Sequence, residues 1–198
     1  ADLLLKIPDS LSFEEAATLG VGTGTAALGL FHELRIPASL EQLTNTKGDA
    51  PKGEFVLITG GSTATGTHAI SSEIIYIWRT QQNYATRPLG GGGGRYVSLE
   101  PVRAAITQTR PTVEPSWLMV LSLFGHQVAL DGDYGRPARP EYRKFGREAF
   151  TAVQALLDRG LVDTHPIKIM AGGWDGVIKG VALIRSQAPS GSKLVYSV

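Results

Sequence analysis

The 198-residue sequence predicts an α/β protein built on a largely parallel sheet, and three observations carry that reading. Residues 54–59, Glu-Phe-Val-Leu-Ile-Thr, form the continuous apolar run expected of a strand buried on both faces. That run delivers a glycine-rich turn, residues 60–66, which opens into a helical pattern. Strand-like and helix-like segments then alternate to the end of the chain, the order that covers a parallel sheet with helices.

Taken in order, residues 3–8 read as an extended lead-in. Ser12 followed by Glu15 has the spacing of a capping box and predicts a helix over 13–19 that stops at Gly20. A second helix is expected over 24–34, with Gly24 and Ala27 allowing close packing and Pro37 ending it. Residues 41–53 are a polar loop. A helix over 67–78 follows the glycine turn, although Ile74, Ile75 and Ile77 also suit a strand. After the glycine run 90–94 come short buried strands at 95–99 and 118–124. Residues 142–157 have helical spacing, with Phe145, Phe150, Val153, Leu156 and Leu157 facing the core and Gly160 closing the element. The tail reads as a strand (166–170), a helix (174–186) and a last strand (193–198).

Composition narrows the function. A formal net charge of +1, with Lys and Arg scattered, leaves no footprint for nucleic acid or an anionic membrane. The lack of Cys excludes disulfides, thiolate catalysis and thiolate zinc sites. No apolar run approaches the roughly 18 residues of a spanning helix, and Ala1-Asp2-Leu3 lacks the basic start of a secretory leader, so a cytoplasmic location is expected. The four histidines are too far apart in sequence for a local metal motif. His32-Glu33 lacks the second His of H-E-x-x-H, so no metal is expected. Ser62 stands in G-G-S-T-A rather than G-x-S-x-G, which removes a hydrolase elbow.

The glycine turn is the most informative motif. Gly60, Gly61, Ser62, Thr63 and Gly66 combine sharp backbone bends with small side chains, so that a pyrophosphate can reach the amides at a helix N-terminus. The pattern G-G-S-x-x-x-G is neither a Walker loop nor a strict G-x-G-x-x-G, and a tight strand–helix turn without ligand is the competing reading. An acidic residue, or a basic one for a 2′-phosphate, is expected about 20 positions on. Arg79 fills that role if residues 74–78 form a strand, and is a solvated surface residue if they form a helix.

On the residues Ala1 to Asp9, Phe13-Glu-Glu-Ala-Ala, Gly20-Val-Gly-Thr-Gly-Thr-Ala, Gly60 to Gly66, Gly93 to Leu99, Leu123-Phe124-Gly125 and 165–198, the chain resembles the medium-chain dehydrogenase/reductases. It is most similar to their zinc-free quinone-reductase-like branch, and within it to fungal trans-acting enoyl reductases that partner polyketide synthases. The resemblance implies a truncated Rossmann-like sheet with flanking helices, plus C-terminal strands left over from a GroES-like catalytic domain. It divides the chain into 1–24, the end of the catalytic domain and an interdomain helix; 25–160, a shortened Rossmann-like domain; and 161–198, a strand–helix–strand segment. Cofactor contacts carried over are Gly60, Gly61, Ser62, Thr63, Gly66, Tyr96, Leu123, Phe124 and Gly125. No catalytic residue is assigned; the candidates are Thr23 or Thr25, which match a threonine facing the nicotinamide, and His126. Hydrogen bonds within a helix start, core packing and a solvent-facing loop are the competing uses of these residues. Asp131, Asp133, Tyr134 and Arg136 form a polar turn near the family's substrate opening or subunit contact, which turn chemistry alone also explains.

Two departures stand beside the match. The chain starts near the end of the family's catalytic domain, and residues 71–92 replace several strand–helix units, although one βαβ unit takes about 30 residues. The implied function is NADPH-dependent hydride transfer to an α,β-unsaturated thioester in polyketide assembly. The alternative is a shortened, non-reductive relative that binds a polyketide intermediate and acts as a cofactor-free cyclase or an accessory subunit. A carrier-bound or small polyketide-type substrate, a polyketide synthase partner and a homo-oligomer that buries the faces exposed by shortening are expected.

Overall fold

A computed structural model describes residues 2–36, 58, 62–71, 94–102, 108, 111–186 and 191–198. The apolar strand expected before the glycine turn and the helix expected beyond Ser71 lie outside these residues, Ile58 excepted. Arg79, Gly60 and Gly61 do too.

Helix α1, Phe13–Ala16, begins at the expected capping box: the Glu15 amide donates to Ser12 Oγ at 3.2 Å and the Ser12 amide to Glu15 Oε2 at 2.9 Å. Helix α2, Leu19–Ala27, continues as a π-helical turn, Leu28–Glu33. Gly20 therefore does not end a helix; it sits exposed in the first turn of α2. The small loss of helix propensity there is outweighed by burial of the turns that follow. Leu19 and every residue from Gly22 to Ala27 are buried, which makes α2 the central helix rather than a surface one.

Helix α3, Ala64–Ser71, follows the glycine turn. Strands β1, Gly94–Ser98, and β2, Val113–Trp117, pair in parallel with Arg95 opposite Glu114 and Ser98 opposite Trp117. The strand expected over 118–124 is a 3-10 turn, Val120–Phe124, closed by Gly125 in the left-handed region at φ 74°. Ladder bonding ends where the Leu118 amide meets the Ser98 carbonyl at 3.0 Å. The chain then coils, which lets Leu118, Val120 and Leu123 all face one cluster with Leu28 and Tyr142. An all-apolar run carries no period to reveal this, and Glu114 and Pro115 disguise the true strand.

A short 3-10 turn, Gly132–Tyr134, precedes helix α4, Pro140–Asp158, which starts with Pro at its first position and buries Tyr142, Gly146, Ala149, Ala152, Val153, Leu156 and Leu157 along one face. The tail forms β3, Ile167–Met170, α5, Gly173–Arg185, and β4, Lys193–Tyr196. Strands β3 and β4 pair in parallel as a sheet of their own, apart from β1–β2. The result is mixed α/β with two short parallel sheets, the shape of a truncated Rossmann-like protein. Ala26, Leu30, Ala69, Ala152 and Leu156 form the second core cluster, between α2, α3 and α4.

Candidate functional site

The site is organised by the small residues of α2. A Cβ placed on Gly22 would stand 2.5 Å from Cδ2 of His68 and 3.5 Å from the carbonyl carbon of Ala64, so the backbone of α2 lies directly against the start of α3. Two residues on, a Cβ on Gly24 would meet Leu123 at 3.1 Å, Val120 at 3.4 Å and Phe150 at 3.5 Å. Helix α2 thus holds the glycine-turn helix through Gly22 and the 3-10 turn through Gly24, with Thr23 between them in sequence. Leu123 and the helix that follows the glycine turn are thus brought to one helix.

Thr23 and Thr25 differ in the way that matters for a ligand. Thr25 Oγ1 donates to the Val21 carbonyl at 2.7 Å, an internal helix bond. Thr23 is 5% exposed and its Oγ1 has no hydrogen-bond partner among the described residues. A buried hydroxyl left unpaired costs about 1–3 kcal/mol, so it calls for a partner.

At the glycine turn, Ser62 and Thr63 are exposed and Gly66 is buried. Thr63 Oγ1 accepts the Gly66 amide at 3.0 Å, as an N-cap side chain does. Leu123 is buried, whereas Phe124 is 48% and Tyr96 43% exposed. Gly125 packs so tightly that a Cβ would stand 2.9 Å from Cβ of Arg143, and His126 follows it into solvent.

The polar turn is tied to the carboxyl end of β2. The Arg136 guanidinium lies 3.5 Å from the Trp117 ring centroid, and Tyr134 meets the same ring edge-on at 5.7 Å. Tyr134 donates to Glu100 at 2.8 Å, and that carboxylate holds the phenol above its usual pKa. Asp133 offers its carbonyl to Arg136 at 3.0 Å, and Asp131 is exposed. A cavity of about 360 Å³ opens elsewhere, against His32, Glu33, Arg95, Glu114 and Tyr142, and none of the candidate catalytic or cofactor-contact residues lines it. Its arginines are engaged locally, Arg95 with Glu114 at 3.3 Å, so the α2 site is the better candidate.

One buried cluster was not foreseen. His68 and His165, set aside in the sequence as isolated, both meet Thr18, and so does Lys193. Sequence separations of 50, 147 and 175 residues hide the group from any local pattern. Among the described residues no three His, Asp or Glu side chains are placed to share a metal ion.

The fold is that of a shortened α/β protein of truncated Rossmann-like type. No family model matches the chain. It is 44% identical to the trans-enoyl reductase caaB of Aspergillus niger, over 253 residues that take in all of this chain and 69% of the relative. Trans-enoyl reductase traG of Penicillium crustosum is 43% identical over all of this chain and 68% of its own length. For thnE of Trichoderma harzianum the figures are 43%, all of this chain and 67%. The chain belongs to the family of fungal trans-enoyl reductases. It spans about two thirds of the length of these relatives. The matched stretch of 253 residues also exceeds the 198 of the chain, so part of the shortening is internal.

Proposed function

We propose that the chain is an enoyl reductase of fungal polyketide biosynthesis that binds NADPH across α2, between the start of α3 and the 3-10 turn. The observation that carries the reading is Thr23 Oγ1, a buried hydroxyl without a partner among the described residues, in the helix that joins those two elements. When bound, the nicotinamide supplies the hydride that reduces an α,β-unsaturated thioester. The first-turn amides of α3, with Gly60, Gly61, Ser62 and Thr63, hold the pyrophosphate, and buried Gly66 lets the helix approach closely. Thr23 offers its hydroxyl toward the ring end. Leu123 and Phe124 wall that end against water, Tyr96 flanks it, and Gly125 lets the chain turn away from it. His126 stands in solvent and has no part in orienting the substrate.

Calorimetric titration with NADPH and NADH tests this. Micromolar binding of NADPH is expected, and Thr23→Val should weaken it about tenfold or more, the loss of one buried hydrogen bond. The same substitution should leave the free protein as stable or more stable, by up to about 1 kcal/mol in denaturant melts, because an unsatisfied hydroxyl is replaced by a methyl. Absence of binding to either nucleotide by the folded chain removes the reductase reading. The internal shortening then favours the cofactor-free cyclase or accessory subunit.

The protein is proposed to work in the cytoplasm as a homo-oligomer beside a polyketide synthase. Among the described residues no helix is long and apolar enough to cross a membrane. Trp174, Ile178 and Ile184 of α5 are 60–72% exposed, an apolar stripe that self-association would cover. Light scattering should give at least a dimer; a monomer at micromolar concentration rules the oligomer out.

A further inference from the structure

Thr18 is fully buried where α1 meets α2, and four elements converge on it. Its hydroxyl donates to the Glu15 carbonyl at 2.8 Å and accepts the His165 amide at 3.2 Å. His68 Nε2, from α3, and Lys193 Nζ, from β4, each lie 3.3 Å from its carbonyl oxygen. His165 Nδ1 lies 3.2 Å from Thr67 Oγ1, also in α3. His68 is 2% and His165 3% exposed. Glu15, the carboxylate on the α1 side, is turned to the Ser12 amide. Among the described residues no carboxylate lies within 4 Å of His68, His165 or Lys193.

The joint therefore sets one imidazole and an ammonium on one carbonyl, with a second imidazole held close by through the His165 amide and Thr67, and no anion among the described residues. A carbonyl only accepts, so His68 must carry its proton on Nε2, and a second proton on Nδ1 would place a new charge beside Lys193. Gly22 leaves the notch into which the His68 ring fits. The ring thus fixes how closely α3 approaches α2, and with it the place of the start of α3 against Gly22.

We propose that His68 is a positioning residue for the glycine-turn helix, and that its joint with Thr18, His165 and Lys193 makes that positioning acid-sensitive. Burial holds both imidazoles below the usual histidine value, and the charge of Lys193 adds to it; for His68 the bond to the Thr18 carbonyl opposes burial in part, and the nearby His165 adds to the lowering. An opened joint frees them to titrate near 6.5. The opened form therefore binds protons more readily. The joint's contribution is complete above about pH 6.5 and is lost as pH falls through the depressed values.

Hydrogen exchange of the full chain between pH 7.5 and 5.0, corrected for intrinsic rates, tests the proposal without any cofactor. Peptides covering residues 62–71 and 163–170 should lose protection together below about pH 6.5, while α4 keeps its own. His68→Gln, which retains an amide donor but cannot titrate, should flatten the response of 62–71. If that variant does not fold, histidine proton resonances of the unmodified chain decide: two of the four imidazoles should titrate below the ordinary value. Protection of 62–71 that persists to pH 5.0, an unchanged acid response in His68→Gln, or a His68 midpoint at or above about 6.5 overturns the proposal. The NADPH readout rests on the nucleotide reading: affinity should weaken several-fold from pH 7.5 to 5.5 in the unmodified chain and not in His68→Gln. No NADPH binding at either pH sinks the nucleotide reading alone, and the exchange result still decides the role of His68.

Discussion

Substituting Gly22 by alanine should destabilise the protein by about 1–3 kcal/mol and weaken NADPH binding about tenfold or more, whereas Gly20→Ala should stabilise it by about 0.5–1 kcal/mol. The two glycines lie in the same helix, two residues apart, and helix propensity alone favours alanine at both. What separates them is space. A Cβ at Gly20 meets nothing within 4 Å, while one at Gly22 stands 2.5 Å from Cδ2 and 3.1 Å from Nε2 of His68. His68 is buried and bonded to the Thr18 carbonyl, so a swing of its ring costs that bond and close packing. The relief that keeps the bond is for α3 to back away from α2, which moves the start of α3 and the turn before it. Denaturant melts and calorimetry on the two variants give opposite signs if the packing is as described. A stabilised Gly22→Ala with full NADPH affinity would mean that α3 is not held by that notch.

The elements read correctly from the sequence are those with a local chemical signature. Ser12 and Glu15 are bonded as the capping box requires, and α4 shows its period because polar residues separate Tyr142, Ala149, Val153 and Leu156. Strands β1, β3 and β4 and helix α5 also fall within a few residues of their expected places. The failures are segments whose composition has no contrast. In 19–34 small and apolar residues occupy every face, so neither the start of α2 at Leu19 nor the change to a π turn at Leu28 could be seen. In 113–124 the strand carries Glu114 and Pro115, and the apolar stretch after it is a coil that serves the Leu28–Leu123 cluster.

The candidate site divides in the same way. The glycine turn and Thr23 were legible, the first from its own chemistry and the second through the family resemblance. That Thr23 lacks a partner among the described residues while Thr25 has one depends on where each hydroxyl points, which spacing does not encode. The polar turn 131–136 was read as turn chemistry or a substrate opening; its packing over Trp117 shows that it also anchors the end of β2.

Leu156→Ala should cost about 3–5 kcal/mol, the upper part of the range for a buried leucine, and leave the NADPH affinity of the folded fraction within about twofold. Leu156 is 0% exposed and fills the cluster in which Ala26 of α2, Leu30 of the π turn after it, Ala69 of α3 and Ala152 of α4 meet. Three of those four neighbours are alanines, whose side chains have no torsion with which to fill a void. Among its buried members, closing it would require the helices to move as bodies. Helix α2 resists that because Gly22 and Gly24 already hold it against α3 and the 3-10 turn at contact distance. The cavity therefore persists, and the cost rises with its volume. Half-buried Leu161, packed at the edge of the same cluster, gives the comparison: Leu161→Ala should cost about 1–2 kcal/mol, because water and loop motion relieve the loss. Equal losses at the two positions in denaturant melts would mean that the α2–α3–α4 cluster collapses freely. The close approach at Gly22 would then not be the fixed contact on which the geometry of the glycine turn depends.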